Sequence, residues 1–262
     1  MTHLLKIEWL KIKNYKAFWI FSILYFFSIV GINYTGYYVN TLTAENVPGS
    51  SVLMGSPYGF PKVWQTVGFM SSWLLYFPGI LFIMLLTNEF NFKTHRQNII
   101  DGWSRMQFIS VKFLFALIFS VMATIFNILV ALLFGYLTSG SLYTYSGMEN
   151  IGYIFLQTVG YITFAMFLAV LFRRSGVAIA IFFLYGLIFE WLITALITFN
   201  MKMAPLGYFL PLQTSDVMLP IPFGDKVLYL DAPAVEWMAL ATIAWIAGYY
   251  FFAARKFRSE DL

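Results

Sequence analysis

Long apolar stretches, separated by short charged segments, make up most of this chain of 262 residues. An α-helix needs about 20 residues to cross a hydrocarbon core of roughly 30 Å. Six uncharged or nearly uncharged stretches meet that length and predict spans at 18–38, 65–87, 111–137, 151–172, 176–199 and 234–254. The stretches are continuous, whereas the strands of a membrane barrel would alternate. The pattern therefore predicts an all-α polytopic membrane protein, with one transmembrane domain over residues 1–262 and six transmembrane helices.

The composition supports a chain dissolved in lipid. Hydrophobic residues make up 60% of the sequence and charged residues only 11%, against about 25% charged residues in a soluble domain. The chain has no cysteine and two histidines, His3 and His95. We therefore expect no disulfide and no bound metal.

The basic residues predict the orientation, because lysine and arginine are concentrated in cytoplasmic loops. Thirteen of the 16 lie in the N-terminal segment, the 88–112 loop, the Arg173–Arg174 turn and the C-terminal tail, which would all face one side. We expect that side to be cytoplasmic, with both termini inside. The net charge of +4 then reflects orientation and does not indicate binding to nucleic acid.

Two segments outside the spans predict helices at the membrane surface. In the 88–112 loop, apolar and basic residues alternate over 90–100, which suits a short interfacial helix ending before Gly102. Glu89 would lie at its N-terminus, where the helix dipole favours a carboxylate, and Ser104 with Gln107 forms a capping box for span three. An ordinary solvated helix without a partner is equally compatible with this loop. Residues 3–16 predict an imperfect amphipathic helix, interrupted by Glu8, Lys11 and Lys16.

The segment 200–233 carries five prolines but is otherwise apolar. Proline excludes a long regular helix. We expect short helical pieces that turn back toward the membrane or cap the bundle, or else a loop packed on the protein.

Catalytic motifs are absent from the sequence: it has no G-x-x-x-x-G-K-[ST], no H-E-x-x-H and no G-x-S-x-G. We therefore expect no enzymatic activity from this chain. Glu190 is the one charged residue within span five, where an unpaired charge costs at least about 2.5 kcal/mol. It would either line a translocation path or dimer interface, or cap a backbone segment or pair with a tyrosine. Asn127 in span three is a second candidate for the path, and the alternative for it is a contact between helices.

The order of these parts resembles the permease subunit of type-2 ABC (ATP-binding cassette) exporters, in the compact bacterial form. In that family the loop between spans two and three carries an acid, a Thr-x-Arg, a Gly and a Ser-Arg, and ends in a Lys. The matching residues are Glu89, Thr94, Arg96, Gly102, Ser104, Arg105 and Lys112. Trp103 stands where the family usually has proline. The basic tail ending in Asp-Leu, residues 255–262, is also similar.

The resemblance implies a role in ATP-driven export. Two permeases, identical or paralogous, would form the path through a bacterial cytoplasmic (inner) membrane, and two separate ATPase subunits would bind ATP and magnesium. The helix in the 88–112 loop would be the coupling helix that docks on the ATPase, with Arg96 and Arg105 pairing with the ATPase or with lipid headgroups. The alternatives are a secondary carrier or channel that uses Glu190, and a membrane assembly or immunity factor that transports nothing.

Overall fold

The computed structural model describes residues 2–46, 55–140, 145–222 and 231–259, and their regular structure is entirely helical. In chain order the helices are α1 (Thr2–Ile12), α2 (Lys16–Asn46), α3 (Val63–Ser72), α4 (Tyr76–Asn91), α5 (Thr94–Ile100), α6 (Arg105–Ser139), α7 (Glu149–Phe172), α8 (Ser175–Asn200), α9 (Ala204–Gly207), α10 (Gln213–Asp216) and α11 (Val235–Ser259). The all-α class predicted from the apolar stretches is confirmed. The last three residues of the basic tail, 260–262, lie outside the described residues.

Five helices among the described residues are long and apolar enough to cross a membrane: α2, α6, α7, α8 and α11. The second predicted span, 65–87, is divided into α3 and α4, which meet at an angle of 47°. The count becomes six if this bent pair is one span. Pro78 lies in the first turn of α4, after the break at residues 73–75. A proline is tolerated there because the first turn needs no intrahelical N–H donor.

Helix α7 is the centre of the bundle. In the most apolar stretch of this helix, 78% of the residues are buried, whereas the share is 22–44% in the other four long helices. It packs against α4, α6, α8 and α11. The remaining helices therefore present broad apolar faces outward, as expected for helices surrounded by lipid.

The segments rich in lysine and arginine meet at one end of the bundle, which we call the basic end. Arg105 donates a hydrogen bond to the carbonyl of Arg258 in the tail (2.5 Å). The guanidinium of Arg173 lies 5.2 Å from the centre of the Phe90 ring. Segments that the sequence assigns to one membrane face are thus joined by direct contacts.

At the opposite end, the proline-rich segment contains two short helices, α9 and α10, within its described residues 200–222. Gln213, Thr214 and Ser215 of α10 are each at most 1% exposed. The expected short helical pieces are present, and α10 is packed into the protein. Residues 223–230 lie outside the described ones.

Gly79 allows α4 to pack closely against α8. A Cβ atom placed on Gly79 would lie 2.4 Å from the ring of Phe182, which is fully buried. We expect Gly79→Ala to lower the free energy of unfolding by about 1–3 kcal/mol, because an extra methyl group in a packed core forces side chains to shift. Denaturation by SDS in mixed micelles measures the loss. Gly248→Ala is the control, since nothing lies within 4 Å of its Cβ position; equal losses in the two variants would contradict the prediction.

Candidate functional site

Helix α5 at the basic end contains the central residues of the predicted coupling loop. It is shorter than expected: Phe90 and Asn91 belong to α4, and α5 begins only at Thr94. Gly102, with φ of 98°, follows in the turn that separates α5 from α6. A left-handed conformation of this kind favours glycine.

One side of α5 is anchored in the protein. His95 and Asn98, three residues apart, are both 7% exposed. His95 donates from Nδ1 to the carbonyl of Glu89 (2.9 Å), and the amide oxygen of Asn98 accepts from Nζ of Lys11 (3.1 Å). The His95 ring also packs edge-on against Phe90 and Phe257. The helix is therefore held by α1, α4 and α11 together.

The other side of α5 and the residues next to it are exposed. Phe92 is 76% exposed and Ile100 77%. Thr94, Arg96 and Gln97 lie on the same surface. A short helix that presents two large apolar side chains and an arginine, and is fixed from behind, forms a surface suited to binding a partner protein. We call it the α5 surface and define it by Phe92, Thr94, Arg96, Gln97 and Ile100.

A buried ionic cluster lies directly behind α5. The ammonium group of Lys112, on α6, contacts the carboxylates of both Glu8 on α1 and Glu89 at the end of α4. Lys11 also pairs with Glu8 (3.1 Å). Glu8 is fully buried, and Glu89 and Lys112 are each 8% exposed. Burial by itself raises the pKa of Glu8, but the charges of Lys112 and Lys11 hold that pKa below its ordinary value.

This cluster corrects the position expected for Glu89 and gives a role to Glu8. Glu89 is not at the N-terminus of the surface helix; it lies in the last turn of α4 and neutralises Lys112. Glu8, which interrupts the apolar face of the N-terminal helix, is the most deeply buried residue of α1. A pairing of residues 104 positions apart in sequence has no local signal. The available clue was an acid placed in an otherwise apolar and basic helix.

The remaining coupling-loop residues have structural roles. Ser104 forms the predicted capping box: its hydroxyl accepts from the Gln107 amide (3.1 Å), and its own amide donates to the Gln107 side chain (2.8 Å). Arg105 binds the tail carbonyl of Arg258. Trp103, in the family's proline position, is buried and lies 5.5 Å from Nζ of Lys11. Of the predicted set, Thr94 and Arg96 therefore face outward, and Glu89 faces the interior.

Glu190 lies in α8 between two π-helical segments, Tyr185–Phe189 and Leu196–Asn200, and is 1% exposed. Its Oε1 atom accepts hydrogen bonds from the backbone amides of Leu212 (2.7 Å) and Gln213 (3.1 Å). These amides belong to the N-cap and the first residue of α10, where a helix has unsatisfied N–H groups. Glu190 therefore caps a backbone segment, which is one of the alternatives left open by the sequence, and its place on a translocation path stays a prediction.

Asp216, at the end of α10, was not identified from the sequence. Its carboxylate accepts hydrogen bonds from the Gln157 amide (2.9 Å) and from the hydroxyl of Tyr161 (2.9 and 3.0 Å). Burial raises its pKa to about 6, although these hydrogen bonds act in the opposite direction. A glutamine within a predicted span was the available sequence signal, since such a group needs a polar partner in lipid.

The other predicted intramembrane residue, Asn127, is 1% exposed and faces the protein interior. Its side-chain amide donates to the carbonyl of Ala123 within the same helix (2.9 Å). Within residues 2–46, 55–140, 145–222 and 231–259, no three His, Asp or Glu side chains are grouped so as to hold a metal ion.

Comparison with known proteins gives one family. The profile of the family described as "Protein of unknown function (DUF2705)" matches residues 50–219. The matched region runs from before α3 to just beyond α10, and so includes the α5 surface, Glu190 and Asp216, whereas α1 with Glu8 lies outside it. No curated protein matches the chain.

Proposed function

The chain belongs to the DUF2705 family, and we propose that it is the membrane-spanning subunit of an ATP-driven exporter. In this proposal α3 and α4 form one bent span, which brings the total to six. The basic end faces the cytoplasm, in agreement with the concentration of lysine and arginine there. Two copies, or this chain and a paralogue, line the path in a bacterial cytoplasmic membrane. Separate ATPase subunits bind ATP and magnesium and dock at the basic end.

The observation that carries the proposal is the α5 surface. Phe92 and Ile100 are more than three-quarters exposed, yet the helix between them is fixed by buried His95 and Asn98. Exposed aromatic and aliphatic side chains next to an arginine have the composition of a protein-binding surface, in which aromatic residues and arginine are enriched. A helix that served only as a solvated connection would not need such anchoring.

The contacts that anchor α5 also connect it to the membrane-spanning helices. A displacement of α5 would be transmitted to α4 through the His95–Glu89 hydrogen bond, and to α1 through the Asn98–Lys11 hydrogen bond. Lys112 joins these two helices to the beginning of α6. Because Glu8, Glu89 and Lys112 are buried and paired, we expect α1, α4 and α6 to move together with α5. The break at residues 73–75 is then the place where α4 can change its angle to α3.

Glu190 weighs against a carrier that acts alone. Its Oε1 atom accepts hydrogen bonds from two backbone amides, so the side chain is held in place as a cap and has a structural role that a translocating site would not require. An assembly or immunity factor would also use a docking surface, but would not require ATP turnover. The ATPase assay below separates these possibilities.

We expect removal of the α5 surface to uncouple the ATPase. The test uses the full chain in lipid nanodiscs with a candidate ABC ATPase from the source organism, and compares wild type with Phe92→Ala/Arg96→Ala/Ile100→Ala. The triple variant should lower the chain-dependent ATPase rate roughly tenfold, equivalent to about 1.4 kcal/mol of coupling energy. It should still fold, because the three side chains are exposed.

Phe27→Ala is the matched control, since Phe27 on α2 is also 76% exposed but lies far from α5 in the sequence and in a span. It should leave the ATPase rate unchanged. The proposal fails if the wild-type chain neither associates with the ATPase nor alters its turnover. Association without any change in turnover would favour the assembly-factor alternative.

A further inference from the structure

A cavity of about 210 Å³ opens between α3, α4, α7, α8 and α10, the last of which belongs to the segment at the end opposite the basic end. Its wall contains aromatic side chains from four helices or their junctions and one carboxylate. We call it the outer pocket and define it by Phe69, Trp73, Tyr76, Tyr161, Trp191 and Asp216.

The backbone irregularities of the bundle create this space. Trp73 lies in the break between α3 and α4 and lines the cavity. Gly186, in the first π-helical segment of α8, lines the cavity. A Cβ atom at Gly186 would lie 2.4 Å from the hydroxyl oxygen of Tyr76. Two regular helices would pack side by side at this position. The break between α3 and α4 and the π-helical segment of α8 interrupt that packing and leave the cavity.

The outer pocket carries negative charge without a compensating cation among the described residues. Asp216 is bound by neutral partners only, the amide of Gln157 and the hydroxyl of Tyr161. The ion pairs between two described residues lie at the basic end, on Glu8 and Glu89. Burial raises the pKa of Asp216 to about 6, which still lies below the pH of 7.5 chosen for the test.

The lining selects one class of cation. A hard inorganic cation such as Ca²⁺ or Mg²⁺ needs about six oxygen ligands or retained waters, but the only polar residues of the pocket besides its tyrosines are Ser72 and Asp216. An alkylammonium group needs few ligands, because aromatic faces attract it through their quadrupoles. Trp73 and Trp191 supply the ring type that binds such cations best.

We propose that the outer pocket binds a small organic cation of the alkylammonium type, held by the Trp73 and Trp191 rings and by the charge of Asp216. The inference does not depend on the proposed transport function, because the pocket and its charge belong to the isolated chain. Two sources would supply the same chemistry: a soluble amine or quaternary ammonium compound, and the ammonium headgroup of a lipid.

The test is calorimetric titration of tetramethylammonium chloride into the full chain at pH 7.5, in nanodiscs made only of phosphatidylglycerol and at constant ionic strength. Wild type should bind saturably. Asp216→Asn should weaken binding at least tenfold, and Trp73→Leu should weaken it several-fold. Trp73 is 53% exposed, so we expect Trp73→Leu to fold. This variant therefore still tests the proposal if Asp216→Asn is unstable.

Matched controls are Trp237→Leu and Glu236→Gln, since both side chains are exposed at the start of α11 and do not line the pocket. Both should bind as wild type does. Absence of saturable binding in wild type, or unchanged binding in Trp73→Leu, would overturn the proposal.

A second titration in nanodiscs that also contain phosphatidylethanolamine assigns the source. A fall in the apparent affinity of wild type for tetramethylammonium supports a headgroup as the competing ligand in the pocket. An unchanged affinity supports a soluble ammonium compound as the ligand.

Discussion

Replacing Lys112 with methionine is expected to lower the free energy of unfolding by about 3–5 kcal/mol, the cost of breaking a buried ion pair by removing one partner. The ammonium group of Lys112 neutralises two carboxylates, those of Glu8 and Glu89. Without it both carboxylates remain buried, and Lys11 alone, on the rim of the cluster, faces them. SDS denaturation in mixed micelles, followed by tryptophan fluorescence, measures the change.

The structure also predicts how that loss can be reversed. The triple variant Glu8→Gln/Glu89→Gln/Lys112→Met should recover most of the lost stability, because neutral groups of similar shape carry no uncompensated charge. Lys6→Met on the exposed side of α1 is the control and should change stability by less than about 0.5 kcal/mol. If Lys112→Met behaved like Lys6→Met, the cluster would not hold α1, α4 and α6 together.

Glu190→Leu is expected to lower the free energy of unfolding by about 2–4 kcal/mol, because it leaves the buried amides of Leu212 and Gln213 without an acceptor. Glu190→Gln keeps one carbonyl oxygen in place and should lose about 1 kcal/mol. The same SDS denaturation compares the two variants. Equal losses in both would show that the charge, and not the hydrogen-bond acceptor, stabilises this region.

Glu190→Gln also distinguishes the proposed exporter from a carrier that uses this carboxylate. Since the glutamine retains the acceptor for α10, we expect ATPase coupling to persist in the variant. A carrier that moves a proton or ion through Glu190 would lose transport while remaining folded. The result therefore separates a structural from a translocating role.

Most of the fold followed from the sequence, because lipid cannot satisfy backbone hydrogen bonds and long apolar stretches must form helices there. The lengths of those stretches located α7 and α8 to within two residues at each end, whereas α2, α6 and α11 each extend five to eight residues beyond one end of the predicted span. The capping box at Ser104 was also predictable, since it is a local pattern of four residues. The sequence also predicted that the basic segments lie at one end of the bundle, because successive spans cross the membrane in opposite directions.

The buried polar contacts did not follow from the sequence. Glu8 meets Lys112, and Glu190 meets Leu212, only because separate helices pack at particular angles and depths. No local pattern encodes such angles, so Glu89 was assigned to the wrong helix and Asp216 was not noticed. The break at residues 73–75 and the π segments of α8 likewise arise from packing. The apolar and basic pattern determined the helices and their order, whereas the polar clusters and the outer pocket depend on how those helices pack together.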